Sequence, residues 1–158
     1  MTIRLLTVGR IQPIFKQAQG EYIKRLSRFC HFEIIEVPDK QAPENLSPAE
    51  KDAVMLAEAT LLQKKIAKGD YIIAMDSSGE MLSSDKMAQK LQTLQSNGHS
   101  SFAFLIGGSL GLHPDLLKQA DGLLSLSPMT FTHSLARIVL SEQIYRSFKI
   151  SSNQPYHK

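Results

Sequence analysis

The sequence predicts an α/β fold, a parallel sheet with helices on both faces, and three observations lead there. Apolar runs of strand length alternate with segments whose apolar residues recur at helical spacing along the whole chain. The clearest run, Phe102-Ala103-Phe104-Leu105-Ile106, is continuously apolar, as expected of a strand covered on both faces. Glycine and proline punctuate the ends: Gly9 after the first run, Pro38 after the second, and Gly107-Gly108-Ser109-Leu110-Gly111 after Phe102–Ile106. No composition break or internal repeat divides the 158 residues, so 1–158 is read as a single domain, long enough to bury a sizeable core.

Taken in order, Ile3 to Val8 is the first strand, ended by Gly9-Arg10. Pro13 then permits a helix whose apolar positions Ile14, Ala18, Tyr22, Leu26 and Phe29 share one face, leaving basic residues on the other. Phe32 to Val37 is the second strand, and Pro38 closes it because proline cannot donate to a central ladder. Asp39 to Pro48, with three charged residues and two prolines, is read as an exposed, mobile loop. Ser47 is placed to cap a helix with Pro48 at its first position, and Val54, Ala57, Leu61, Leu62 and Ile66 carry it to Lys68. Gly69-Asp70 precedes a buried strand, Tyr71 to Met75, with a turn at Asp76 to Glu80. Ser84 caps the next helix, Asp85 to Ser96, which Asn97-Gly98 ends.

After the glycine turn, Pro114-Asp115 opens a helix near Leu116, and Gly122 to Leu126 is the last strand. It runs into Ser127-Pro128-Met129-Thr130-Phe131-Thr132, a loop able to wrap a flat apolar ligand. The final helix begins near His133. Ala136, Leu140, Ile144 and Phe148 form one stripe with Leu135, Ile138 and Val139 beside it, so more than half the circumference is apolar near the start. Such a helix wants its own sheet and a second partner, for which another copy of the chain is the simplest candidate and a helix fully internal to this chain the alternative. Arg137, Glu142, Arg146 and Lys149 are placed towards its polar side, with Glu142 and Arg146 spaced to pair.

Composition narrows the class. With 42% hydrophobic and 21% charged residues, and no apolar run near the ~18 that suggest a membrane span, the chain reads as an ordinary soluble protein. The amino terminus leads straight into a strand and lacks the layout of a signal peptide, and the single Cys30 cannot form an internal disulfide; both fit a cytoplasmic location. The net charge is +3, but its distribution says more: Met1 to Cys30 holds six basic residues against one acidic, and His31 to Thr60 holds seven acidic against two basic. That segregation suits a basic face for a polyanion such as RNA, and a solvated helix face accounts for it equally well.

A strand, glycine turn and helix in succession form a ligand-binding edge in open α/β sheets, although such turns also occur simply because chains must turn. The proline loop, twenty residues on, is expected at an adjacent strand end, facing the same crevice. The glycines are expected to let a ligand approach the backbone at Gly107. The turn contains no lysine and no Gly-Lys-Ser/Thr ending, which disfavours a phosphate-binding P-loop. Gly107-Gly108-Ser109-Leu110-Gly111 has the letters of Gly-x-Ser-x-Gly but is not read as a nucleophile elbow, and His31, His99, His113, His133 and His157 fall at no metal-ligand spacing, so neither a serine hydrolase nor a metal site is indicated.

Phe104 to Leu112 (FLIGGSLGL), Leu124 to Phe131 (LSLSPMTF), His133, Leu140 to Arg146 (LSEQIYR) and the terminal Tyr156-His157-Lys158 together resemble the ribosomal RNA large subunit methyltransferase H family. Glu36-Val37-Pro38-Asp39 and Met81-Leu82-Ser83-Ser84 extend the likeness over essentially the whole chain, with Met75 where leucine is usual and Thr132 where proline precedes the histidine. The resemblance implies a SPOUT-type fold with a C-terminal trefoil knot and a homodimer that methylates the N3 of a pseudouridine in 23S ribosomal RNA. It implies S-adenosylmethionine as cofactor, bound by Met75, Gly107, Leu126, Ser127, Pro128, Met129, Thr130 and Phe131. His157 and Tyr156 are the catalytic candidates, and Lys158, Arg137 and Arg4 the substrate-binding ones. The alternative is a non-enzymatic RNA-binding protein of ribosome assembly; a hydrolase or nucleotide-binding protein ranks third.

Overall fold

The structure, a computed structural model, describes residues 1–155. Strands β1 (Thr2–Val8), β2 (His31–Val37), β3 (Tyr71–Met81), β4 (Ser101–Ile106) and β5 (Gly122–Ser125) form one parallel sheet in the order β2-β1-β4-β3-β5. A 3-10 turn at Pro13–Phe15 leads into α1 (Lys16–Leu26), followed by α2 (Pro48–Gln63), α3 (Ser84–Ser96), α4 (Pro114–Gln119) and α5 (His133–Ser151). Successive strand residues point to opposite faces, so β1 sends Ile3 and Leu5 to one layer and Leu6 and Val8 to the other. The first layer is completed by Leu26 of α1, Met87 and Leu91 of α3, and Leu140 and Ile144 of α5. The second is completed by Ala59 and Leu62 of α2 and Leu116 of α4. Helices therefore cover both faces, and β4 at the centre is buried from Phe102 to Ile106.

Most boundaries follow from local chemistry. Ser47 forms a full capping box: its Oγ accepts from the Glu50 N–H at 3.2 Å, and Glu50 Oε2 accepts from the Ser47 N–H at 2.7 Å. Glu142 Oε1 accepts from Arg146 Nε at 2.9 Å and Nη2 at 2.6 Å, the pairing that their spacing suggested.

Five expectations need correction. Ile14 is 81% exposed, because the helix begins with a 3-10 turn whose tighter winding breaks the phase of the predicted stripe. α2 ends at Gln63, not Lys68: Lys65 N–H turns back to the Leu62 carbonyl, and Asp70 Oδ2 draws the Ala67 N–H into a local turn. Ser83, not Ser84, caps α3; the Ser84 hydroxyl instead donates to Gln143 Oε1 at 2.6 Å, joining α3 to α5. The predicted turn at Asp76 to Glu80 is an excursion inside β3, since Leu124 pairs with Met75 and again with Glu80. Lastly, β4 and β5 are not neighbours: β3 lies between them, a spatial order that alternation of elements does not determine.

Among the described residues, no helix is long and apolar enough to cross a membrane, and no group of three or more His, Cys, Asp or Glu is placed to hold a metal.

Candidate active site

The carboxyl ends of β3, β4 and β5 open onto a cleft of about 640 Å³. β3 contributes Met75, Asp76 and Ser77, and β4 contributes Ile106 and the turn from Gly107 to Gly111. The strand end and loop after β5 add Ser125, Leu126, Ser127, Met129, Thr130 and Phe131, and Thr132, His133 and Ala136 close it at the start of α5. Met75, Gly107, Leu126, Ser127, Met129, Thr130 and Phe131, all named from sequence, thus meet around one space, whereas Pro128 lies in the same loop without lining it.

The loop keeps its shape through its own serines. Ser125 Oγ donates to the Ser127 carbonyl at 3.1 Å, and Ser127 Oγ accepts from the Met129 N–H at 2.9 Å. Thr132 Oγ1 then accepts from the Leu135 N–H at 3.3 Å, so threonine starts α5 with an N-cap. On β3, Asp76 Oδ1 accepts from both the N–H and the hydroxyl of Ser78, which holds the excursion open beside the cleft.

The glycine turn corrects one expectation. A Cβ built on Gly107 would lie 2.5 Å from the Gly111 carbonyl carbon, 2.7 Å from its oxygen and 2.8 Å from Leu112 N. The space that a side chain would need is filled by the turn's own backbone, so glycine there closes the turn and is not reserved for a ligand's approach. The Gly111 N–H donates to the Gly108 carbonyl at 3.0 Å, and Gly111 itself has φ +83°, the left-handed region.

Arg137 is the second correction. It is 0% exposed, where the helix pattern placed it on the polar side. Its Nη1 donates to Glu36 Oε1 at 2.6 Å and its Nη2 to the Gly9 carbonyl at 2.9 Å, while Glu36 Oε1 also accepts from the Ile11 N–H at 2.9 Å. His133 Nε2 lies 3.1 Å from the Arg10 carbonyl, which can only accept, so that nitrogen carries the proton. Ser134 Oγ accepts from the Gln12 N–H at 3.1 Å. Residues 9–12 and the first turns of α5 therefore form one clasp behind the cleft, and the Arg137 guanidinium is committed to it instead of facing a substrate.

Arg4 is also placed elsewhere. Its Nε meets Glu33 Oε1 at 2.9 Å, and its Nη1 meets Asp70 Oδ1 at 2.7 Å and Ser101 Oγ at 3.1 Å. Those partners mark the amino ends of the strands, roughly 15 Å of extended chain from the cleft. Tyr156, His157 and Lys158 lie outside the described residues. Sequence reasoning missed Asp76 and Ser77: their turn was legible, but its place in the cleft depends on β3 standing between β4 and β5.

A cleft of this size, with Met75, Ile106, Leu124, Leu126 and Phe131 beside the hydroxyls of Ser125 and Ser127 and a loop rich in main-chain groups, fits a nucleoside-sized ligand with one flat apolar part and several polar edges.

Residues 1–157 match a family described as "predicted SPOUT methyltransferase". The chain is 50% identical over 159 residues to the ribosomal RNA large subunit methyltransferase H of Alkaliphilus oremlandii, with 100% of each chain covered. It is 48% identical to the protein of the same name from Levilactobacillus brevis, again with 100% of both covered. Among solved structures, the tRNA (m1G37) methyltransferase from Aquifex aeolicus superposes with a TM-score of 0.55 over 92% of this chain and 70% of that one, at 13% identity. A probable methylase family protein from Haemophilus influenzae Rd KW20 gives 0.52 over 99% and 70%, at 12% identity. These two distant likenesses bear on the fold alone. Matched by the family along nearly its whole length and half identical to a relative it covers end to end, the chain belongs to the SPOUT methyltransferases, in the ribosomal RNA large subunit methyltransferase H family.

Proposed function

We propose that this chain transfers a methyl group from S-adenosylmethionine to the N3 of a pseudouridine in large-subunit ribosomal RNA, as a cytoplasmic homodimer. The observation that carries the reading is the convergence of Met75, the glycine turn and the loop 126–131 on one cleft, in a chain half identical to a relative named for that class of activity. The bound cofactor supplies an activated methyl group, so the protein's own task is to bind, orient and exclude water. Met75, Leu126 and Phe131 provide apolar surface for an adenine, and Ser127 and the main chain of 126–130 provide polar groups to read its edge. Exposed Lys16, Lys24 and Arg28 on and just after α1 offer positive charge to a phosphate backbone.

A uracil-type ring N–H is weakly acidic and must lose its proton before its nitrogen is methylated. A ring nitrogen of His157 accepts that proton, Lys158 stabilises the resulting anion, and Tyr156 stacks on the base. The half-buried side chains of Leu135, Ile138 and Val139 on α5 support a second copy of the chain as partner. The position of β5 outside β3, with α5 returning to pack on α1 and α3, supports a knotted carboxyl-terminal segment.

Calorimetry with S-adenosylhomocysteine, followed by single-turnover transfer to undermethylated ribosomes, tests the reading. The full chain should bind and transfer. A chain lacking Pro155 to Lys158 should bind within a few-fold while transfer falls by roughly two or more orders of magnitude, the range general acid–base catalysis supplies. No heat of binding with the full chain overturns methyl transfer in favour of an RNA-binding assembly protein, and unchanged transfer by the truncated chain removes the tail from the mechanism. Sedimentation should give about twice 17.6 kDa; a fully active monomer removes the homodimer.

A further inference from the structure

Glu58 in α2 is a buried acid that the chemistry above leaves without a task. The residue is 4% exposed. Its Oε1 accepts from the Lys40 N–H at 3.0 Å, and its Oε2 is buried with no hydrogen-bond partner among the described residues. A Cβ built on Gly108 would lie 2.9 Å from Oε2, 3.1 Å from Oε1 and 3.1 Å from Val8 Cγ1. The hydrogen which that Cβ would replace therefore faces the carboxyl, a weak C–H to oxygen contact that only glycine permits. Gly108 lines the cleft and Glu58 does not, so the acid supports the glycine turn from outside the ligand space.

The same helix holds the other end of that turn. His113 is buried, and its Nδ1 accepts from the Asp115 N–H at 3.1 Å. Its Nε2 therefore carries the ring proton and donates to Asp52 Oδ1 at 3.1 Å. α2 thus meets the segment 107–113 twice, through Glu58 at Gly108 and through Asp52 at His113.

We propose that Glu58 is a positioning residue for the methyl donor, its buried carboxyl holding the glycine turn in its binding shape. The inference rests on reading the cleft as the donor site. Burial pushes the Glu58 carboxyl above the usual carboxylate value of 4.5; the Lys40 N–H opposes that shift, Asp39 adds to it, and the Lys40 charge again opposes it. Val54, Met55, Leu61 and Leu62, one helical turn to either side of Glu58, are apolar, as is Val8 beside the turn. An ionised Glu58 would place a charge with one unpartnered oxygen under the turn, which the chain relieves by letting residues 39–40 or the turn move towards water. Because the folded value is the raised one, the support is complete below 4.5 and is lost as pH climbs through that raised value.

The test is calorimetry with S-adenosylhomocysteine from pH 5 to 9 on the wild type, Glu58→Gln and Glu58→Ala, alongside amide hydrogen exchange at Gly108 to Leu112 in the unliganded proteins. Wild-type affinity should fall with rising pH, Glu58→Gln should keep the low-pH affinity with a flat profile, and Glu58→Ala should bind roughly tenfold or more weakly, with faster exchange in the turn. In the Glu58→Ala enzyme, KM for the donor should rise by more than kcat falls. A folded Glu58→Ala protein that binds like the wild type, or a Glu58→Gln profile that follows the wild type across the range, overturns the inference; should the alanine variant not fold, the second comparison decides alone. A wild type that gives no heat at any pH overturns the donor-site reading as well, which separates the two failures.

Discussion

Replacing Arg137 by methionine gives the sharpest test of what its burial means. The substitution keeps much of the volume but removes the donors to Glu36 Oε1 and the Gly9 carbonyl. Deleting one partner of a buried ion pair costs about 3–5 kcal/mol because the other charge is stranded. Two features here favour the lower end. The Glu36 side chain is 32% exposed and still accepts from the Ile11 N–H, so its charge is partly solvated and partly bonded without the arginine. Arg137 Nε has no hydrogen-bond partner among the described residues, so the guanidinium already carries an unmet donor. A loss of about 3 kcal/mol follows, or roughly 6–12 °C in Tm for a chain of this size. Lysine should recover about half, since it carries the charge but lacks the fork that reaches both acceptors. Thermal and urea denaturation with an unchanged m-value measure this. A methionine variant that melts within about 2 °C of the wild type yet fails to methylate RNA would refute the clasp, and would restore Arg137 to the substrate.

Other substitutions probe the backbone contacts around the cleft. Gly107→Ala forces the turn away from Gly111 and should lower stability and S-adenosylhomocysteine affinity together; lost affinity at full stability would show that the missing side chain serves the ligand after all. Gly79→Ala would place a Cβ 2.6 Å from Leu124 N and 2.7 Å from the Leu123 carbonyl carbon, so it should cost about 1–3 kcal/mol in urea unfolding, and an unchanged midpoint would sink that estimate. Burial pushes the Cys30 thiol up to about 11, so at pH 8 roughly one molecule in a thousand carries the thiolate. A disulfide reagent should therefore react orders of magnitude more slowly with the folded than with the urea-unfolded protein, the folded rate rising about tenfold per pH unit; rapid labelling at pH 8 would contradict the burial.

What could be read in advance was local or periodic. The continuous apolar run at Phe102 to Ile106 announced the central strand, and Ser47 followed by Pro48 announced the start of α2. The loop from Ser127 to Thr132 was legible as a candidate wall because its proline, hydroxyls and large side chains sit together in sequence. Arg137 was misplaced for a physical reason: helical spacing assigns a cation to the solvent side unless a buried acceptor waits, and Glu36 lies 101 residues earlier, on β2. Gly107 misled in the same way, since what excludes its side chain is Gly111, brought close only by the tight closure of the turn. The three-strand width of the cleft was hidden because periodicity does not say which strand lies between which.

The place of β4 has a consequence for how the chain reaches its shape during synthesis. The first hundred residues emerge with β1 and β2 able to pair, but β3 has no neighbour until β4 arrives to stand between it and β1. β5 and α5 come later still, pairing with β3 and packing on α1 and α3. Long-range pairings of this kind are closed late, and a nascent chain stopped before residue 101 would expose the apolar faces of both sheet fragments. No independently stable half is built into this order, so release from the ribosome, folding and formation of the cleft should occur as one event.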